Sequence, residues 1–315
     1  MRDNTNECRA CLRALVAVAK ADGTITAEER ESLAAALDTL PDAGELQPFL
    51  DEKIDFDKVL AEVTSAEARD QLWLSAYSMI HADGTATPSE QALLDKLRAT
   101  FGIDDAKVTS TKRLLDEAKD TLLPSNIEPI ADAARRGKEI DQDVLKYSVM
   151  SAVLGAFPVP GIAIATDLAI VALQVKLVRD IGQYWGHKVD KEAAKTLLAG
   201  LGLGTGARIA VSNLAKLVPV WGSAFGATSA FATTWALGRI ANRYFEAGAK
   251  DDVGQLKKDL KAMQKVGKEA YAQQKATIDA KQEATSIKLA RLNDQRKAGE
   301  ITQPEYEKQV AALAD

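Results

Sequence analysis

A nine-residue motif occurs twice, and it fixes what the first third of the chain can become. Ala21-Asp22-Gly23-Thr24-Ile25-Thr26-Ala27-Glu28-Glu29 aligns without gaps on Ala82-Asp83-Gly84-Thr85-Ala86-Thr87-Pro88-Ser89-Glu90. Each copy follows an apolar helical pattern, Leu12 to Ala19 or Leu72 to Ile80. Each precedes another, led by Leu33 and Leu37 or by Leu93, Leu94 and Leu97. The unit is helix, Asp-Gly turn, helix, and its duplication predicts a pseudo-two-fold helical bundle. Composition extends this to the whole chain: 46% hydrophobic but only 5% aromatic, rich in Ala, it favours helices over the β-branched and aromatic strands of a sandwich. At 315 residues the chain exceeds one comfortable core. The expectation is an all-α protein of modular helical bundles.

Helix capping accounts for most of the motif. Gly23 and Gly84 suit the left-handed position that ends a helix. Thr26 with Glu29, and Thr87 with Glu90, form Thr-x-x-Glu capping boxes, and Pro88 suits the first helical position. Capping does not account for Asp22 and Asp83, which face the negative end of a helix dipole. A divalent ion accounts for them. The spacing matches positions 5, 6, 8 and 12 of a calcium loop, yet positions 1 and 3 would be Val18 and Lys20 or Met79 and His81, so neither copy is a complete EF-hand. Brought together, Asp22, Glu29, Asp83 and Glu90 offer four carboxylates to calcium or a similar hard cation. Both readings stand on the sequence.

The repeated Ala-Asp-Gly-x-x-x-x-x-Glu pattern resembles the tellurite-resistance TerB-like family over residues 1–122. The resemblance implies an all-helical fold, metal-binding acids at Asp22, Glu29, Asp83 and Glu90, and metal-linked stress biology with no defined reaction. Ala86 departs from the Ile of the first copy.

A proline-containing linker, 123–143, separates this acidic head from an apolar, Ala- and Gly-rich region, 144–250. No charge occurs in 149–166 or 217–238, each near the roughly 20 residues that span a bilayer as helix. Pro158, Pro160 and Asp167 argue against spanning. Phe157-Pro158-Val159-Pro160-Gly161 is echoed by Val218-Pro219-Val220-Trp221-Gly222, which predicts two helical hairpins. These segments, with Tyr184-Trp185-Gly186 and Tyr244-Phe245-Glu246, resemble the YcjF-like domain of unknown function, which implies membrane association and a separate GTPase as partner. Lys176, Arg179, Arg239 and Arg243 follow the apolar runs and suit anionic lipid headgroups.

Residues 251–285 read as an amphipathic helix or linker, with Leu256, Leu260, Met263 and Val266 at helical spacing, and 286–315 as a helical hairpin with a capping box at Thr302 and Glu305. The hairpin resembles the short C-terminal SHOCT domain, and so small a piece must dock or self-associate. Homo-oligomerisation through this tail is therefore expected.

The sequence carries few motifs of catalytic chemistry. There is no Walker A loop, so no nucleotide is expected, and Gly200, Gly202, Gly204 and Gly206 read as helix packing. Cys8 and Cys11 have no further Cys to complete a zinc site. His81 and His187 belong to no catalytic set. A net charge of −5 disfavours nucleic acid. The start of the chain carries acids and no apolar signal stretch, which predicts a cytoplasmic protein, attached to or inserted in the inner membrane. The expected function is non-enzymatic: a membrane-associated stress-response or scaffold protein with a divalent-metal-binding head. Alternatives are a pore-forming effector that inserts its apolar hairpins, or a regulator of a separate GTPase.

Overall fold

The computed structural model describes residues 2–37, 44–81, 86–156, 163–201, 203, 222–250 and 252–315. Among them the chain is all-α, without strands. It divides into two compact units, one built on Met1–Lys112 and the other on Arg113–Leu201 and Ser223–Asp315.

The first unit is organised about α1 (Arg2–Ala19). Ala10, Cys11, Leu12, Ala14, Leu15, Val16, Val18 and Ala19 are all buried, so its second half is apolar on nearly every side, the pattern of a core helix, with Arg13 alone carrying charge, to Glu52. It packs against α2 (Ala27–Leu37), α3 (Gln47–Asp51), α4 (Phe56–Ala61), α5 (Ala66–Ile80) and α6 (Pro88–Phe101). The helices of the two repeats thus lie together, α1 and α2 with α5 and α6, and α1 packs against α5. Trp73, Leu72 and Leu97 complete the core. Helix α7 (Asp105–Asp120) crosses from this unit into the next.

After α7 the second unit continues without regular secondary structure through 121–132, held by α9 (Ala163–Tyr184) rather than by a ladder of its own. Ile127 N donates to Gln183 Oε1 at 3.1 Å and Ile130 N to the Tyr184 carbonyl at 3.1 Å, while Arg179 Nη1 donates to the Leu123 carbonyl at 2.8 Å. Helix α8 (Ala133–Ala156) begins within the stretch read as linker, with Arg135, Arg136 and Lys138 in its first turns. It packs along α9, which also contacts α10 (Lys191–Gly200).

The described parts of the uncharged runs fall on α8, α9 and α11 (Gly222–Glu246), where most of their apolar side chains are buried. Gly155 and Gly226 bring two backbones together: a Cβ on Gly155 would lie 2.5 Å from the Gly226 carbonyl oxygen. A polar chain crosses this interior, Gln174 Nε2 donating to Thr234 Oγ1 and Thr234 Oγ1 to Ser151 Oγ, each at 3.0 Å. Among the described residues no helix is long and apolar enough to cross a membrane. The proline turns at Pro158, Pro160 and Pro219, and Gly202, Gly204 and Gly206, lie outside the described residues.

The tail docks on its own chain. Helices α12 (Val253–Gln273) and α13 (Lys275–Ala298) meet at Gln274, and α13 runs unbroken through residue 286, where the hairpin was expected to begin. Gly299 takes φ +75°, and α14 (Gln303–Ala312) starts at the expected capping box of Thr302 and Glu305. Ile278 enters a core cluster with Val149, Ala152, Ala227 and Phe231. Helix α14 packs on α9, burying Tyr306 and Val310, and Gln303 Nε2 donates to the Ala165 carbonyl at 2.9 Å.

Candidate metal centre

Both Thr-x-x-Glu motifs form capping boxes of the same geometry. Glu29 Oε2 accepts from Thr26 N at 2.8 Å and Thr26 Oγ1 at 3.0 Å, while Glu29 N donates back to Thr26 Oγ1 at 3.2 Å. Glu90 Oε2 accepts from Thr87 N at 2.7 Å and Thr87 Oγ1 at 2.8 Å, with the return bond at 3.3 Å. Exposed capping glutamates are ordinary. These two are 9% and 7% exposed, and they face each other. Burial raises the pKa of Glu29 and its own cap lowers it; repulsion and a side-chain hydrogen bond from Glu90 raise it again, leaving it above the ordinary value. The duplication therefore sets two carboxyl groups together in a low-dielectric place, where two negative charges are costly unless a proton or a cation lies between them. Among the described residues neither makes an ion pair with a basic side chain.

The aspartates behave differently. Asp22 is exposed, and its Oδ1 accepts from both Thr24 N and Thr24 Oγ1 at 2.9 Å, which holds its pKa below the usual value. This is an Asx turn, with Gly23 at φ +87° beside it. It gives Asp22 the structural role that capping boxes alone did not supply. Asp83 lies outside the described residues. Of the four acids singled out from sequence, then, Glu29 and Glu90 meet and Asp22 points to solvent. Among the described residues no group of three or more His, Cys, Asp or Glu side chains is gathered closely enough to enclose a metal.

Other candidates resolve into structure. Cys8 and Cys11 are buried, free thiols on α1; burial pushes Cys8 up to about 11 and Cys11 higher still, the mark of inert cysteines. His81 caps α5, its Nδ1 2.8 Å from the Tyr77 carbonyl and its ring stacked on Tyr77. Among the described residues, the acid of the head that accepts the most side-chain hydrogen bonds is one outside the repeated motif. Glu7 of α1 accepts from Thr64 N at 2.6 Å, Thr64 Oγ1 at 3.1 Å, Ser65 N at 2.7 Å and Ser65 Oγ at 2.9 Å, at the start of α5. Its only sequence signal is an acid beside the apolar face of α1.

The two facing capping boxes lie within a segment that matches a known family. Residues 2–115 match a family of unknown function, DUF533. This is a TerB-like family, and the matched segment contains both Asp-Gly motifs and ends inside α7. An uncharacterized protein of Synechocystis sp. is 25% identical to the chain over 134 residues, 41% of this chain and 86% of the relative. No solved structure matches.

Proposed function

We propose that the protein is a non-enzymatic, stress-linked scaffold whose TerB-like head holds a divalent hard cation on Glu29 and Glu90. What carries the reading is the meeting of these two buried carboxyl groups. The donor set fits such an ion: each Oε2 is committed to its threonine, which leaves one oxygen on each glutamate, and ions of the magnesium type take one or two carboxylates and complete their shell with water. The cation, when bound, supplies neutralisation of the pair. The capping threonines orient the carboxylates, and Asp22 shapes the turn ahead of α2.

Attachment to an anionic membrane surface remains part of the proposal, on a different footing from the sequence expectation. Lys176 pairs with the buried Asp180, Arg179 donates to the Leu123 carbonyl, Arg239 pairs with Asp141 and Arg243 with Asp259. Lys176 and Arg179 are spent inside the protein, and Arg239 and Arg243 are committed to exposed ion pairs. The exposed lysines Lys258, Lys261, Lys265 and Lys268 instead share one face of α12, and they are the groups that suit anionic headgroups.

Thermal unfolding of the full chain with and without millimolar magnesium, calcium, manganese or zinc tests the cation. A cation at 100 times its dissociation constant stabilises by about 2.7 kcal/mol. Wild type and Asp22→Ala should show the rise in Tm, and Glu29→Gln with Glu90→Gln should not. The reading fails if wild type is indifferent to all four ions.

A further inference from the structure

Helix α13 spends one face on the protein, burying Ile278, Thr285, Leu289, Leu292, Asn293 and Arg296. Its opposite face is solvent-exposed and carries Ala280, Glu283, Ala284, Ile287, Ala290 and Arg291. Ile287, at 84%, is the most exposed large apolar side chain among the described residues. A single exposed isoleucine is unremarkable, but its surroundings are not arbitrary. Three residues to either side of Ile287 stand Ala284 and Ala290; four to either side stand Glu283 and Arg291. Among the described residues neither of these charges makes an ion pair within the chain.

We propose that α13 pairs with α13 of a second copy of this chain, antiparallel, about a two-fold axis at Ile287. Such an axis sets each residue a given distance before Ile287 opposite the residue the same distance after it. Ile287 then meets its counterpart, Ala284 meets Ala290, and Glu283 meets Arg291 twice. Farther out Ala280 meets Asp294 and Ala276 meets Ala298, so like charges are nowhere opposed along the stripe. An isologous interface demands this self-complementarity, and alanines let two helices approach to the lower end of the usual 8–10 Å spacing. The acids Glu283 and Asp294 disfavour an anionic lipid as occupant of this face. The inference is independent of the cation.

Sedimentation equilibrium of the full chain over a wide concentration range decides it. A reversible dimer is expected. Ile287→Asp should weaken it at least tenfold without altering the circular dichroism, since the side chain touches little. Glu283→Arg, which opposes two arginines twice, should weaken it, and adding Arg291→Glu should restore it. Ile287→Cys should form a disulfide dimer in air, with Cys8 and Cys11 too buried to compete, whereas Ala276→Cys alone should not. A monomer at every concentration overturns the proposal, as does a dimer indifferent to Ile287→Asp or a double charge exchange that fails to restore it. Flotation of a monomer with neutral vesicles, lost in Ile287→Asp, would assign the face to lipid instead and likewise overturn it.

Discussion

Replacing Glu307 with glutamine should stabilise the second unit, and only above acid pH. Glu307 lies on α14 at 2% exposure, accepting from Gln303 Nε2 at 2.7 Å. Burial pushes its pKa up from 4.5 to about 7, while Gln303 and the charges of Lys191 and Arg296 pull the other way. Arg296 does not neutralise it outright, because its Nη2 is committed to Glu117 at 3.0 Å. A carboxyl group whose folded value is raised binds its proton more tightly in the folded state. Its favourable contribution is therefore whole below the unfolded value near 4.5, shrinks as pH rises, and is gone above about 7. The rise is worth about 3 kcal/mol at 1.36 kcal/mol per unit. Glutamine mimics the protonated form and escapes the loss. Urea unfolding followed by circular dichroism from pH 5 to 8 should show a small gap between Glu307→Gln and wild type at pH 5, widening to about 3 kcal/mol in favour of glutamine at pH 8. A gap that stays constant across this range would refute the argument, because a packing or hydrogen-bond effect has no reason to titrate.

Two glycines of α8 should respond to alanine with opposite signs. Gly155→Ala drives a Cβ into the Gly226 backbone and should cost about 1–3 kcal/mol, whereas Gly137→Ala, with nothing within 4 Å, should gain up to about 1 kcal/mol; urea midpoints report both. At Glu7, burial pushes the pKa up but the hydrogen bonds from Ser65 and Thr64 outweigh it and leave the value lowered. Its contribution is present above the unfolded value and lost as pH falls through the folded one. Glu7→Gln should lower head stability by about 1–3 kcal/mol at pH 7 and by progressively less toward pH 3; equal melting at pH 7 would show that the four hydrogen bonds do not matter.

Local chemistry was legible in the sequence, and long-range pairing was not. The capping boxes at Thr26, Thr87 and Thr302 announce themselves, because every atom they need lies within four residues. So does the helix break at Gly299. The duplication further implied that two acids would meet, since copies related by a two-fold place equivalent residues near one another. It did not say which. Asp22 looked like a ligand because an acid at a helix end is unfavourable, and only the turn geometry showed Thr24 meeting that need. Lys176 and Arg179 read as free cations. Lys176 has its partner Asp180 four residues along the same helix, a pair the sequence did offer, whereas the Leu123 carbonyl reaches Arg179 only through the course of the 121–132 segment. The tail read as too small to stand alone, and it does not: Ile278 and Tyr306 reach cores that earlier helices supply.

The facing of Glu29 and Glu90 ties the histories of the two half-repeats together. Either half, taken alone, would bury an acid with no counterpart across from it, so the smallest piece that can carry this chemistry is the doubled one. A half-length ancestor would have had to meet a copy of itself to make the pair. A substitution at one glutamate changes what its opposite number can tolerate, although 61 positions of chain separate them.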